Sequence, residues 1–365
     1  MPGLIFEILG NEAVHVDTHL EASAATLQHN GERFKGEFMI SLSSRSKREF
    51  RVRIRKMVTK LTVTTREQRR RFRSLSKEDE NTLRDFMVLN CSLEEGEYEL
   101  KEHIFTRLQS DRFETVPWLA SVVPLEGSRV LEIGTGTGAS SVSLAEQGAI
   151  VTGIDINGGD LKVARMRFDL YKLSATFIEM NAIKIEERFV GHSFDLVVFF
   201  ASLEHMTLDE RLKSLAAAWR VLKPGGILAI VETPNRLWFF DPHTSMLPFF
   251  HWLPDELAIR WANRSPRWSF ANASLDELSL ARWGRGASFH ELELTFGDIG
   301  QLDVVSNKTD FLRRHDPIRF ARSLLSKHRR YERFLERTCP RINRAFFRSD
   351  LDLMIRKPTA ISHLS

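Results

Sequence analysis

The chain has 365 residues, 42% hydrophobic and 27% charged, with a formal net charge of +4. That composition suits a soluble globular protein with room for two domains, and no apolar run of about 18 residues or more marks a membrane span. The N-terminal Met1-Pro-Gly-Leu-Ile-Phe-Glu7 lacks the basic region and cleavage site of a signal peptide. Only Cys91 and Cys339 occur, which fits no disulfide framework and favours a reducing, cytoplasmic setting. The mild net charge is unevenly spread. Residues 45–77 hold 14 Lys/Arg against Glu49 and Glu67, and residues 313–348 hold 12 against Asp316, Glu332 and Glu336. Such segments are either solvated faces or surfaces that meet nucleic acid or an anionic membrane peripherally.

Residues 1 to about 63 read as strands. Phe34–Leu42 and Phe50–Val58 alternate apolar with polar residues, Leu61–Thr65 continues the pattern, and Asn30-Gly31 is a hairpin turn signal. A helix is expected from Ser76, with Asp79 as a loose capping box and Leu83, Phe86 and Met87 as its apolar stripe. This succession, with the segment Arg71–Phe86, resembles a PilZ domain, a small β-barrel closed by a helix. That family binds cyclic di-GMP through an R-x-x-x-R arm and a D/N-x-S-x-x-G turn. Here the nearest turn is Asp17-Thr-His-Leu-Glu-Ala22, with His19 and Ala22 in place of Ser and Gly and no arginine arm before it. The resemblance therefore implies a barrel that docks a protein partner without binding the nucleotide. The expected boundary is residues 1–92 for this domain and 93–365 for the next, with Glu94-Glu-Gly-Glu97 in the linker.

Two helices are expected over 98–123. Then comes Val130-Leu-Glu-Ile-Gly-Thr-Gly-Thr-Gly-Ala139: a short strand, an acid, and glycines at every second position ahead of a helix at 140–147. Glycines let a backbone pass close to a bulky ligand, and a helix opening behind them presents free N–H groups. Gly134, Gly136 and Ala139 also satisfy a dinucleotide fingerprint. Glu132, two residues before the first glycine, and the G-x-G-x-G spacing through Gly138 separate the two readings. This stretch resembles motif I of the class I S-adenosylmethionine (SAM) methyltransferases. The resemblance implies a Rossmann-like α/β fold with a seven-stranded sheet and helices on both faces. It also implies SAM as cofactor and Glu132, Gly134, Thr135, Gly136 and Gly138 as its contacts.

The second strand, Ala149–Asp155, ends in an acid at the carboxyl edge, where ligands of parallel α/β sheets sit. The resemblance gives Asp155 the ribose hydroxyls, with Ile156 beside it. The alternative is a helix cap ahead of 159–171. The third strand, 175–180, runs into Asn181 and Ala182, where the family carries an acid and a small residue facing adenine. Asn181 can still accept from the adenine amino group. Phe194–Phe200 is a near-continuous apolar run, as a strand buried on both faces requires. Ala201-Ser-Leu-Glu-His-Met206 after it resembles the L-E-H signature of small-molecule methyltransferases related to the ubiquinone-biosynthesis O-methyltransferases. Some of those bind a divalent metal through a second carboxylate three residues before the Glu. Ala201 stands there, so no metal is expected, and Ala201 is assigned to the cofactor. An amphipathic helix through Leu208–Leu222, the Lys223-Pro-Gly-Gly226 turn and a fifth strand, 227–232, complete the motif region.

Residues 234–300 fall where this fold inserts a substrate lid. Its first part, to Trp252, is strongly aromatic and suggests an apolar acceptor pocket or a membrane-touching lip. His243, two residues after Asp241, is the first choice for a general base oriented by a carboxylate. His290 and His205 are the other catalytic candidates, while Glu291 reads as a capping residue with Ser288. Residues 302–306 and 351–355 read as the last two strands. The expected function is SAM-dependent methyl transfer to a hydroxyl of a small molecule, glycan or lipid. Methylation of an amine or a protein, and a non-catalytic scaffold, are the alternatives. The amino-group acceptor motif is absent after the fourth strand, so nucleic-acid bases are not expected as substrate.

Overall fold

The computed structural model describes residues 72–91, 100–315 and 328–359, together with the backbone of four strands nearer the N-terminus. Backbone proximity divides the chain into two units, Met1–Arg73 and Ser74–Ser365. The first holds two antiparallel pairs, β1 (Leu4–Glu7) with β2 (Ala13–Val16) and β3 (Ser23–His29) with β4 (Glu32–Phe38). His29 pairs with Glu32, and the turn expected at Asn30-Gly31 lies outside the described residues. The strands expected at 50–58 and 61–65, residues 39–42, the Asp17–Ala22 turn and the Glu94–Glu97 linker lie outside the described residues.

The second unit begins ahead of the helix expected from Ser76, not after it. This helix, α1 (Lys77–Asn90), is capped by Ser76, whose side chain accepts from the Asp79 N–H. Its stripe, Leu83 and Met87, is fully buried in a cluster with Leu100 and Val163, so the helix packs within the second unit. Replacing Ser76 by Ala is expected to cost about 1 kcal/mol, measurable as a drop of about 2 °C in thermal midpoint. Residues 100–120 form one continuous helix, α2, rather than two. It contains two π turns, Glu102–Thr106 and Asp111–Thr115. Pro117 follows the second. Proline has no N–H for an α ladder, and a widened turn keeps the helix running past such a gap.

A seven-stranded sheet follows, in the order β10-β11-β9-β8-β5-β6-β7. In chain order its elements are β5 (Arg129–Ile133), α3 (Ala139–Ala145), β6 (Ile150–Asp155), α4 (Gly158–Tyr171), β7 (Thr176–Glu179), β8 (Phe194–Phe200), α5 (Leu208–Val221) and β9 (Leu222–Pro234). After the segment carrying α6 (Asp255–Trp261), α7 (Glu277–Gly284) and α8 (Phe289–Phe296) come β10 (Asp303–Asn307), α9 (Lys308–His315), α10 (His328–Thr338) and β11 (Asp350–Arg356). Strands β5 to β9 run parallel, and β11 is antiparallel to both β9 and β10.

Alternate strand residues feed two cores, as the period of 2 requires. Leu131, Val197, Phe199, Leu228 and Ile230 pack toward α5 and α8. Val130, Leu196, Val198, Ile227 and Ala229 pack toward α2 and α3. The one polar residue in β8, Asp195, turns to Lys223 at 2.6 Å and accepts the Arg129 N–H. Both cysteines are free, and no helix among the described residues is long and apolar enough to cross a membrane.

Candidate active site

The carboxyl ends of β5, β6, β7, β8 and β9 open onto a cavity of about 550 Å³, roofed by α2. Gly134 has φ +76°, and a Cβ there would stand 2.4 Å from the Ser202 Cβ. The loop can thus turn against β8's end only as glycine. Gly136 donates its N–H to Asp155 Oδ2 at 2.8 Å, and Asp155 Oδ1 accepts from Asn157 N. Asp155 therefore ties the glycine loop to the end of β6 and keeps lone pairs facing the cavity. Asn157, not Asp155, caps α4. Thr135, Ile156, Asn181, Ala182 and Ala201 line the same cavity. The Asn181 carbonyl oxygen already accepts from the Ile183 N–H, so only its second lone pair is free for a ligand.

Two expected cofactor contacts are placed differently. Glu132 is fully buried and lies behind the loop, where its carboxylate accepts from the Ser140 and Ser141 hydroxyls. Gly138 (φ +78°) caps α3 where a Cβ would meet Ala164 at 3.0 Å, so it serves helix packing. Neither lines the cavity. Arg167, fully buried, reaches from α4 to the carbonyls of Thr137 (2.8 Å) and His103 (3.0 Å) and holds the loop against α2. Burial pushes the Glu132 carboxyl up to about 7. A folded-state pKa above the ordinary 4.5 means that the folded chain keeps a proton the unfolded chain gives up. Its contribution to stability therefore falls as pH rises from about 4.5 to about 7. Glu132→Gln is expected to flatten that part of a plot of thermal midpoint against pH; an unchanged slope would contradict the assignment.

A second cavity, of about 420 Å³, adjoins the first through Arg107, Ala201 and Glu232, which line both. Ala201 (φ +41°) and Glu232 (φ +58°) are left-handed non-glycine residues at the ends of β8 and β9, a kind of strain that concentrates at functional sites. The rest of the wall is His243, Lys308, Thr309, Leu312, Asp350 and Asp352. Buried Lys308 lies 3.1 Å from Glu232, 3.7 Å from Asp352 and 3.3 Å from the Thr115 hydroxyl. Burial, then the charge of Asp352, pushes Asp350 up to about 6. The aromatic acceptor pocket expected from residues 234–252 is not found at either cavity. Phe270 packs edge-on to both Phe250 and Trp283, Trp238 packs on Tyr331, and Phe249, Trp252 and Trp268 are exposed.

Of the three histidines, two converge. His205 lines the first cavity and His243 the second, with ring centroids 5.5 Å apart. His290 lies elsewhere: it is exposed, stacks on Phe289 at 4.1 Å and lines neither cavity. Asp241 does not orient the His243 ring. It accepts backbone N–H groups from His243, Thr244 and Ser245 and sits 3.3 Å from His251. Burial, then His205, holds His243 down at about 4. Ser288 and Glu291 do form the capping box of α8, and Glu291 also pairs with Arg211. Glu204 lies beside the two histidines, fully buried, its Oε1 without a hydrogen-bond partner. Burial pushes it up to about 8.

Glu232, Lys308, Asp350, Asp352 and Arg107 were not singled out from the sequence. The one local signal was Glu232, the last residue of the strand expected at 227–232, whose carboxyl end faces the site.

Residues 130–226 match the family model described as a methyltransferase domain. The match takes in the glycine loop and strands β5 to β8, so that region is similar to a methyltransferase domain. A ubiquinone biosynthesis O-methyltransferase of Thiobacillus denitrificans is 35% identical over 111 residues, 30% of this chain and 46% of that protein. A demethylmenaquinone methyltransferase of Clavibacter sepedonicus is 28% identical over 193 residues, 50% of this chain and 74% of its own. A crystal structure of a SAM-dependent methyltransferase from Methanosarcina mazei is similar at 32% identity, covering 33% of this chain and 58% of its own, with a TM-score of 0.30. The chain spans about half the length of the ubiquinone-biosynthesis relatives.

Proposed function

We propose that this protein moves a methyl group from SAM to a hydroxyl of a small, polar molecule. One observation carries the reading: the two cavities share Arg107, Ala201 and Glu232, so a cofactor in the first and an acceptor in the second meet at one seam. The glycine loop, Asp155 and Asn181 suit the nucleoside part of SAM. In the transfer the sulfur–methyl bond breaks as the oxygen–methyl bond forms. Sulfur keeps the electron pair and becomes a neutral thioether, and the acceptor hydroxyl gives up its proton. The chain's task is position and a proton acceptor. Glu232 takes that second role, since it touches both cavities and Lys308 holds its carboxylate. Six ionisable groups on the second cavity's wall (Arg107, Glu232, His243, Lys308, Asp350 and Asp352) favour a hydrophilic acceptor, glycan-like or smaller, over a lipid.

Transfer to an amine is the second reading, favoured by Asp350. It lines the second cavity, and the one hydrogen bond to its carboxyl among the described residues comes from Ser349. For the first unit the reading remains a PilZ-like docking domain, supported by its two antiparallel pairs. The test is calorimetric titration with S-adenosylhomocysteine. Micromolar binding supports the cofactor site and opens a screen of hydroxylated and aminated acceptors. No heat from folded protein would sink the enzyme reading and move the weight to the scaffold alternative.

A further inference from the structure

Helix α10, between β10 and β11, sorts its charges by side. Its two acids face inward. Glu332 is buried 2.7 Å from Arg348 and 3.4 Å from Arg313, and Glu336 lies 3.5 Å from Arg348. Leu335 packs against the main core on the same side. The other side carries Arg330, Arg333 and Arg337, at the spacing of one helical face. All three are exposed and pair with no carboxylate among the described residues. Phe334 stands among them, 59% exposed. Because both acids of the helix are turned to arginines on its inner side, the outer face is left cationic.

This face adjoins the segment after β9. Phe334 stacks on Tyr331, whose ring meets Trp238 at 5.3 Å and Phe239 at 5.5 Å. The Tyr331 hydroxyl donates to the Leu237 carbonyl at 2.8 Å. The Phe239 carbonyl in turn accepts from the Phe249 N–H. Phe249 and Trp252 are 51% and 48% exposed, with ring centroids 5.0 Å apart. Clustered rings left in water mark a surface that something covers.

We propose that this face, with Arg330, Arg333, Phe334 and Arg337 flanked by Phe249 and Trp252, docks the protein on an anionic lipid surface. Guanidinium groups hydrogen-bond lipid phosphates, and neighbouring aromatic rings settle at the headgroup boundary. From Arg330 to Arg337 the helix rises about 10 Å, so the three charges meet several headgroups at once. A single-stranded nucleic acid would need open ring faces on which its bases stack. Here the exposed rings pack on aromatic neighbours, Phe334 on Tyr331 and Phe249 on Trp252. The face lies outside residues 130–226, and its docking does not rest on the function proposed above.

The test is co-sedimentation of the full-length protein with two kinds of vesicle, phosphatidylcholine alone and phosphatidylcholine with roughly one quarter phosphatidylglycerol, at about 0.1 M and about 0.5 M NaCl. Binding to the anionic vesicles, weakened by salt, is expected. Each arginine at such a surface changes the partition about fivefold. The triple variant Arg330→Gln, Arg333→Gln, Arg337→Gln should therefore bind about 100-fold more weakly. Its three positions are exposed, and circular dichroism checks that it folds. Phe334→Ala should keep the preference for anionic vesicles and bind them less tightly. Residues 45–77 are basic as well, and binding carried by them would survive in the triple variant. That result would overturn the proposal, as would failure of folded wild-type protein to sediment with anionic vesicles. Capture of poly(U) without capture of vesicles would also overturn it, in favour of a nucleic-acid surface. S-adenosylhomocysteine titration of the triple variant should match wild type, which keeps this outcome separate from that of the cofactor site.

Discussion

Asp155→Ala is expected to weaken S-adenosylhomocysteine binding by about 100- to 1,000-fold, to the edge of calorimetric detection. The carboxylate would accept from two ribose hydroxyls, and charge-assisted hydrogen bonds contribute roughly 1.5–3 kcal/mol each. At about 1.4 kcal/mol per decade, losing both gives two to three decades or more. The variant also releases Gly136 N–H and Asn157 N–H, which Asp155 holds in the free protein, so part of the loss comes from a loosened loop. Asp155→Asn separates the two contributions. It keeps an acceptor oxygen and loses the charge, and a loss of roughly tenfold is expected. Wild-type affinity in the alanine variant would remove Asp155 from the cofactor site.

Lys308→Met is expected to destabilise the second unit by about 3–5 kcal/mol, the usual result of removing one partner from a buried ion pair. Lys308 is only 7% exposed, and it is the cation shared by Glu232 and Asp352 while Asp111 lies buried close by. Methionine fills the same volume, so the loss reports charge more than packing. A fall of about 10 °C in thermal midpoint corresponds to that range. The sign with pH follows from the acids left behind. Burial already raises Asp111, Asp350 and Asp352 above the ordinary range, and protonation relieves the repulsion. The deficit should therefore be larger at pH 8 than at pH 5. Equal deficits at both would show that Lys308 acts through its methylenes alone.

The fold of the glycine-loop region was legible because its signals are local. A strand, a glycine loop, an acid at the next strand's end and a doubly buried run all lie within residues 129–235, and backbone geometry forces each. The last two strands and the Ser76 and Ser288 caps were legible for the same reason. What was not legible depends on partners distant in sequence. Lys308 meets Glu232 and Asp352 only once β11 has entered the sheet. Asp241 and His243 are neighbours in sequence, yet Asp241's carboxylate turns to His251. The aromatics after β9 looked like a pocket, but Phe250 packs edge-on to Phe270 while Phe249 and Trp252 are exposed. Glu132 and Gly138, expected as contacts, line neither cavity. The π turns in α2, which bring His103, Arg107 and Asp111 to the cavity, have no sequence signature of their own.

The order of the sheet has a consequence for how the chain is made. Strand β9 ends at Pro234, yet its partner on that side, β11, begins only at Asp350. At roughly 5–20 residues per second, a ribosome spends on the order of ten seconds between them. During that interval β9 presents an open row of amides and carbonyls on an apolar strand, the kind of edge that recruits foreign strands. Strand β10 cannot close it, because it pairs only with β11. The nascent protein thus passes through a window in which five parallel strands exist with an unsealed border, and the acidic wall of the second cavity is the last part of the site to be built.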